Sequence, residues 1–192
     1  MNRLPRAILF DMDGTLTVPM LDFPGIKRDM GIGERPILEA LAEMNHEQRK
    51  IAEAVLHRHE EHAAANSTLN PGCEDLLAWL ALRGIKTALI TRNSRASTKT
   101  VIERHALKID VLITRDDAPH KPDPAPLLLA CDRLAVGRAD AWMVGDGQYD
   151  VEAGIAAGIR TIWISHGRDP DHSAMADVTV PGLCELLTLL KG

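Results

Sequence analysis

Asp11-Met12-Asp13-Gly14-Thr15 sets two carboxylates two residues apart, directly after the short apolar run Ala7 to Phe10. At the C-terminal end of a buried strand, such a pair projects into the crevice where open α/β sheets bind ligands. Different surroundings give two neighbouring carboxyl groups different tasks. One of them, ionised, can attack phosphorus and form an aspartyl phosphate. The other can protonate the leaving oxygen and later deprotonate the attacking water. Gly14 permits the tight backbone this needs. The same residues also suit a plain surface turn, so they do not decide the matter alone.

A second acidic group stands in Gly145-Asp146-Gly147-Gln148-Tyr149-Asp150, after the apolar run Ala141 to Val144. Carboxylates gathered at one sheet edge repel one another and a phosphate dianion. Two unit charges about 4 Å apart interact by about 4 kcal/mol at an effective dielectric of roughly 20. A hard divalent cation with oxygen ligands, magnesium above all, removes that obstacle. Asp146 and Asp150 also suit the N-terminus of the helix that follows, Asp150 more so. Lys121, in His120-Lys121-Pro122-Asp123-Pro124, can neutralise an attacking carboxylate and a transferring phosphoryl group. It equally fits an exposed loop. In Thr91-Arg92-Asn93-Ser94, a hydroxyl followed by backbone N–H groups entering a helix forms a phosphate cradle, or an ordinary cap.

These groups need elements to position them. Ala7–Phe10, Lys86–Ile90, Val111–Thr114, Ala141–Val144 and Arg160–Ile164 are continuous apolar runs, as expected of parallel strands buried on both faces. Helical stretches are expected at about 72–83, 95–106, 124–134, 148–157 and 182–190, with Gly84, Gly137 and Gly158 as C-terminal caps. The alternation predicts an α/β fold with a doubly wound parallel sheet. Residues 19–67 break the rhythm. Ile37, Leu38, Leu41 and Met44, then Ile51, Ala52, Val55 and Leu56, predict two helices joined near Asn45-His46. The chain therefore divides into an α/β core, 1–18 and 68–192, and a small helical cap, 19–67, inserted after the first strand.

Bulk properties narrow the class. With 45% hydrophobic and 26% charged residues, the 192-residue chain is expected to fold around a packed core. Its net charge of −5 does not suggest a general grip on nucleic acid. Cys73, Cys131 and Cys184 are odd in number and widely spaced, which predicts reduced thiols in a cytoplasmic protein. No apolar run is long enough for a signal peptide or a membrane span. His57, His59 and His62 lack the i, i+4 spacing of a zinc pair and read as a polar helix face. Trp79, Trp142 and Trp163 read as core. Lys27, Arg28 and Arg92 are candidate contacts for an anionic substrate tail.

Taken together, Asp11-Met12-Asp13-Gly14-Thr15-Leu16, Thr91, Lys121-Pro122 and Gly145-Asp146 with Asp150 resemble the four motifs of the haloacid dehalogenase superfamily. The likeness is to its phosphoglycolate phosphatase-like members, with a shorter cap than their four helices. It covers nearly the whole chain. The resemblance implies a magnesium-dependent phosphatase acting on a small phosphorylated metabolite. Asp11 would be nucleophile and metal ligand. Asp13 would be the acid/base, binding the metal through its backbone carbonyl. Thr91 and the amide of Arg92 would hold phosphate, and Lys121 would steady Asp11 and phosphate. Asp146 would bind the metal, with Asp150 a further ligand or its support. Asp13 argues against dehalogenation and phosphonate cleavage, which lack that acid in the family. A phosphosugar mutase keeps all four motifs but usually carries a larger, water-excluding cap. A protein or nucleic-acid-end phosphatase is the other alternative. Oligomeric state is not read from the sequence.

Overall fold

The computed structural model describes residues 4–168 and 175–192. Six parallel strands form one sheet: β1 (Ala7–Phe10), β2 (Lys86–Ile90), β3 (Val111–Ile113), β4 (Ala141–Gly145), β5 (Arg160–Ile164) and β6 (Val178–Val180). Their spatial order is β3-β2-β1-β4-β5-β6. β1 is wholly buried, which is why it reads as an unbroken apolar run rather than an alternating one. Its residues divide between two cores. Ile8 and Phe10 pack with Leu76 and Leu80 of α4 (Cys73–Leu82), Val101 of α5 (Arg95–Arg104) and Leu186 of α8 (Leu183–Lys191). Ala7 and Leu9 face Leu127 and Leu134 of α6 (Ala125–Leu134) and Ala153 of α7 (Gln148–Ala157). Helices thus cover both faces, giving the doubly wound α/β core expected.

Three details depart from expectation. β6 is a sixth strand, only three residues long and paired with β5. Exposed Thr179 at its centre leaves no continuous apolar run to read. β3 ends at Ile113, one residue early, where the Thr114 backbone N–H turns to the Asp117 carboxylate at 2.8 Å. Gly137 does not cap a helix. α6 ends two residues sooner, at Ala135 in the left-handed region with φ 53°, and Gly137 (φ −69°) leads into a 3-10 turn. Gly84 and Gly158 do take left-handed φ, 67° each.

Between β1 and α4 lie three helices rather than two: α1 (Phe23–Met30), α2 (Ile37–Glu43) and α3 (His46–Asn66). α1 was hidden by Pro24 and Gly25, which are poor helix formers in general. Pro is nevertheless suited to a first turn, and the Asp22 side chain caps this one by accepting from the Gly25 N–H at 3.0 Å. Ile26, Leu41, Ala52 and Leu56 form a small core of their own for these helices. The α2–α3 junction falls where expected, with Asn45 and Gln48 forming a capping box. The return strand of chain is fixed by buried Asn70, whose amide donates to the carbonyls of Thr15 and Thr17 at 2.8 and 3.0 Å.

Candidate active site

In this strand order the direction of winding reverses between β1 and β4, and the crevice beyond their C-terminal ends is where such sheets bind ligands. Asp11 follows β1 and Asp146 follows β4, so the two acidic motifs meet there. The Asp11 N–H donates to the Val144 carbonyl at 2.9 Å, carrying the β1–β4 ladder one step past the strand. His166 Nε2 lies 2.5 Å from the Gly14 carbonyl, and Trp163 Nε1 donates to the Asp146 carbonyl at 2.9 Å. The backbone on both sides of the crevice is therefore pinned by side chains from β5 and the loop after it.

Lys121 is buried, and its ammonium group reaches three acceptors: Asp11 Oδ1 at 2.5 Å, Asp150 Oδ1 at 2.6 Å and the Ile90 carbonyl at 2.8 Å. The exposed-loop reading of this lysine does not hold. Burial alone would lower its pKa, but Asp11 and Asp150 outweigh that and raise it, so it stays charged. Asp150 also accepts from the Gly147 N–H at 3.0 Å, so it caps α7 while holding the lysine. The helix-cap reading of Asp150 is thus realised, and the same carboxylate stands beside Asp11 and Asp146.

The carboxyl groups are under strain from one another. Burial pushes Asp11 well above the ordinary carboxylate value; Lys121 pulls it back, while Asp150 and Asp146 push it further. Burial raises Asp13 to about 6, with Asn93 lowering it and Glu60 and Asp146 raising it. Asp146 is raised as well, by burial and then Asp150, against Arg168 at 3.3 Å. Desolvation and like charge both ask for an added cation. Asp11, Asp146 and Asp150 each offer an oxygen, all within 4.8 Å of one another. An all-oxygen carboxylate set fits a hard divalent ion. Asp150, with one oxygen on Lys121 and the other on Gly147, is the least free of the three to coordinate it.

Thr91 follows β2; its Oγ1 accepts from the Asn93 N–H at 3.1 Å and its side chain lines the same crevice. Arg92 lines the crevice as well, with its guanidinium already engaged. It grips both oxygens of Glu39 on α2 at 2.9 and 3.0 Å, donates to the Lys121 carbonyl at 2.7 Å, and lies 4.4 Å over the Tyr149 ring. It thus ties α2 to the core while facing the cavity. Lys27 lines the cavity, but Arg28 does not: it is exposed and pairs loosely with Asp22 at 4.0 Å. His59 pairs with Asp29 and His57 with Glu61, as a polar helix face should. Trp142 and Trp163 are core residues, and Trp79 packs against the core edge. Cys73, Cys131 and Cys184 are all free, the first two buried.

Over these groups the three inserted helices close a cavity of about 630 Å³. Its floor is Asp11, Asp13, Thr91, Asn93, Lys121 and Asp146. Its roof is mostly apolar, with Pro19, Leu21, Phe23, Pro36, Ile37 and Leu56 beside the charged Lys27 and Glu60. Asn93, Glu60 and Glu39 escaped the sequence reading. Asn93 stood inside a motif without a task of its own, and Glu60 sits in the polar run HRHEEH, where nothing marks one glutamate as buried.

The family model for haloacid dehalogenase-like hydrolases matches residues 24–164. N-acetylmuramic acid 6-phosphate phosphatase of Pseudomonas aeruginosa is 30% identical over 214 residues, spanning 96% of this chain and 94% of that protein. Phosphoglycolate phosphatase of Chromobacterium violaceum is 28% identical over 214 residues, spanning 97% and 96%. The crystal structure of a HAD phosphatase from Thermococcus onnurineus superposes with a TM-score of 0.70 at 27% identity, covering 97% of this chain and 98% of that one.

Proposed function

The chain belongs to the haloacid dehalogenase-like hydrolases and is a phosphatase of that family, and on that premise we propose that it hydrolyses a small phosphorylated metabolite through a phosphorylated Asp11. The observation that carries this reading is Lys121 bridging Asp11 and Asp150 at the β1–β4 crevice, with Asp13 beside them. Asp11 attacks phosphorus while Asp13 gives its proton to the leaving oxygen. Asp13 then takes a proton from the water that cleaves the aspartyl phosphate. Its pKa of about 6 suits both tasks near neutral pH. Lys121 holds Asp11 in place and offsets charge on the phosphoryl oxygens. The Thr91 hydroxyl and the Arg92 N–H are the phosphate donors in this reading. Magnesium, held by Asp11, Asp146 and the Asp13 carbonyl with Asp150 in support, would supply the charge that lets an anionic nucleophile approach an anionic phosphate.

Residues 19–67 act as a cap over a core of 1–18 and 68–192. The mostly apolar roof leaves room for a leaving group beyond the phosphate. Three free cysteines suit a reducing, cytoplasmic setting. Among the described residues no helix is long and apolar enough to cross a membrane. The test is a panel of phosphorylated metabolites, phosphopeptides and 5′-phosphorylated oligonucleotides, assayed for free phosphate with and without magnesium. Metal-dependent release from a small ester is the expected result. Isomerised sugar phosphate without free phosphate would convert the reading to a mutase, and release only from a macromolecule would overturn the substrate class.

A further inference from the structure

Asp13 is held by a partner that the proposed chemistry has not used. Asn93 Nδ2 donates to Asp13 Oδ2 at 2.7 Å, and Asn93 is itself buried. A single amide donor on one oxygen fixes the carboxyl plane and leaves the other oxygen for the reacting group. The donor is in turn held on both sides. Its own N–H donates to Thr91 Oγ1 at 3.1 Å, and its carbonyl accepts from the Arg115 N–H at 3.3 Å.

Arg115 leads to the inserted helices. Its guanidinium pairs with both oxygens of Glu60 and also donates to the Arg92 carbonyl at 3.1 Å. Glu60 belongs to α3, yet its side chain is only 2% exposed and enters the loop that follows β2. It accepts from the Ser94 N–H at 3.3 Å, one residue past Asn93, and from Ser97 Oγ at 3.5 Å. A carboxylate buried this far is tolerated only because it is paired and hydrogen-bonded. Seating α3 therefore fixes residues 92 to 94 from two directions.

We propose that Asn93 is the positioning residue of Asp13, and that Glu60 sets Asn93 through Arg115 and Ser94, so that the acid/base is aligned only when α3 is seated on the core. This rests on the phosphatase reading above. In the first step the Asp11 oxygen–phosphorus bond forms, the phosphorus–alkoxide bond breaks, and the Asp13 proton goes to the alkoxide. In the second, water loses its proton to Asp13, the new phosphorus–oxygen bond forms and Asp11 is released. Nitrophenolate, a stable anion, needs no proton to leave. A misaligned Asp13 should then slow the first step for an alkyl phosphate but not for p-nitrophenyl phosphate, while slowing water attack for both.

The experiment is rapid-mixing kinetics on the full chain with magnesium, comparing p-nitrophenyl phosphate with glycerol phosphate. For Asn93→Ala the nitrophenolate burst should keep its rate, while steady-state turnover of both esters falls at least about 10-fold, a fraction of what general acid–base catalysis provides. Asn93→Asp keeps the shape but removes the donor, and should behave like Asn93→Ala. Glu60→Gln should give the same pattern more weakly, and combining it with Asn93→Ala should add little. Slowing of the burst and of glycerol phosphate turnover by equal factors would overturn the proposal, leaving a merely structural loop. So would normal turnover in Asn93→Asp. A normal enzyme that yields neither burst nor phosphate would instead overturn the phosphatase reading, and this one with it.

Discussion

The Asp146 carboxylate occupies the space where a side chain at position 14 would begin: a Cβ on Gly14 would lie 2.3 Å from Asp146 Oδ2. Gly14 also has φ +83°, a conformation that residues with a Cβ rarely adopt. Two loops from opposite ends of the sequence meet here without a side chain between them. Gly14→Ala should therefore displace Asp146 and turn the backbone at Asp13. A shift of about 1 Å in a reacting constellation is worth about 100-fold in rate. The expected outcome is a loss of that order in kcat/KM, with a far-UV circular dichroism spectrum like that of the parent. A variant within about 2-fold of the parent would mean that this contact does not support the site.

Lys121 is the cation between two buried carboxylates, so Lys121→Met should leave Asp11 and Asp150 uncompensated. Removing one partner from a buried pair costs about 3–5 kcal/mol. The loss should depend on pH in a definite direction. Asp11 has a folded pKa above its unfolded value, and without the lysine that pKa rises further. Its carboxyl is tolerated at low pH, where it is protonated in both states, and disfavours folding as pH rises through the folded value. Urea unfolding of the metal-free proteins should show a larger difference at pH 8 than at pH 5. A difference independent of pH would point to lost packing instead of charge.

What the sequence could show of this site depended on locality. Asp11, Asp13, Asp146 and Asp150 were readable because each follows an apolar run that forms a strand ending at one sheet edge. Most helices and five strands were readable for the same reason, the strands as continuous apolar runs and the helices by their spacing, and even three-residue Val111–Ile113 stood out as such a run. Val178–Val180 did not, because exposed Thr179 interrupts it. α1 was masked by Pro24 and Gly25, whose effect depends on their place in the first turn. Glu60 and Arg115 lie 55 residues apart and pair only once α3 is seated against the core. No spacing rule encodes such a contact, and a glutamate within HRHEEH looks like any solvated one.

Asp13 allows a test of stability against function. Its carboxyl stands at about 6 in the folded protein against an ordinary 3.8, mainly through burial. A raised acid contributes its full stability below 3.8 and loses it as pH climbs through 6. At pH 8 the penalty is on the order of 2 kcal/mol, partial exposure of the side chain trimming the full value. Asp13→Asn should therefore be more stable than the parent at pH 8 in chelator, and indistinguishable from it near pH 3.5, while losing turnover of alkyl phosphates. Equal or lower stability at pH 8 would show that the carboxyl is not under the strain described.

Glu39 and Arg92 join α2 to the core in a way that salt should reveal. Both Glu39 oxygens meet Arg92 Nη2, at 2.9 and 3.0 Å, with the side chains 37% and 21% exposed. Burial would raise the Glu39 pKa, but Arg92 helps lower it below the ordinary value, so the pairing contributes above that ordinary value and is lost as pH falls through the folded one. Half-exposed pairs contribute about 0.2–1 kcal/mol, which converts to about 1.4- to 5-fold in an equilibrium constant. Glu39→Gln leaves Arg92 free to keep its contacts with Tyr149 and the Lys121 carbonyl, so the chemistry below should persist. The expected result is a KM raised by up to about 5-fold with kcat within about 2-fold. Because salt screens such a pair, raising ionic strength to about 0.5 M should lift KM more in the parent than in the variant. If salt moved both KM values equally, the anchor between α2 and the core would have to lie in the apolar contacts and not in this ion pair.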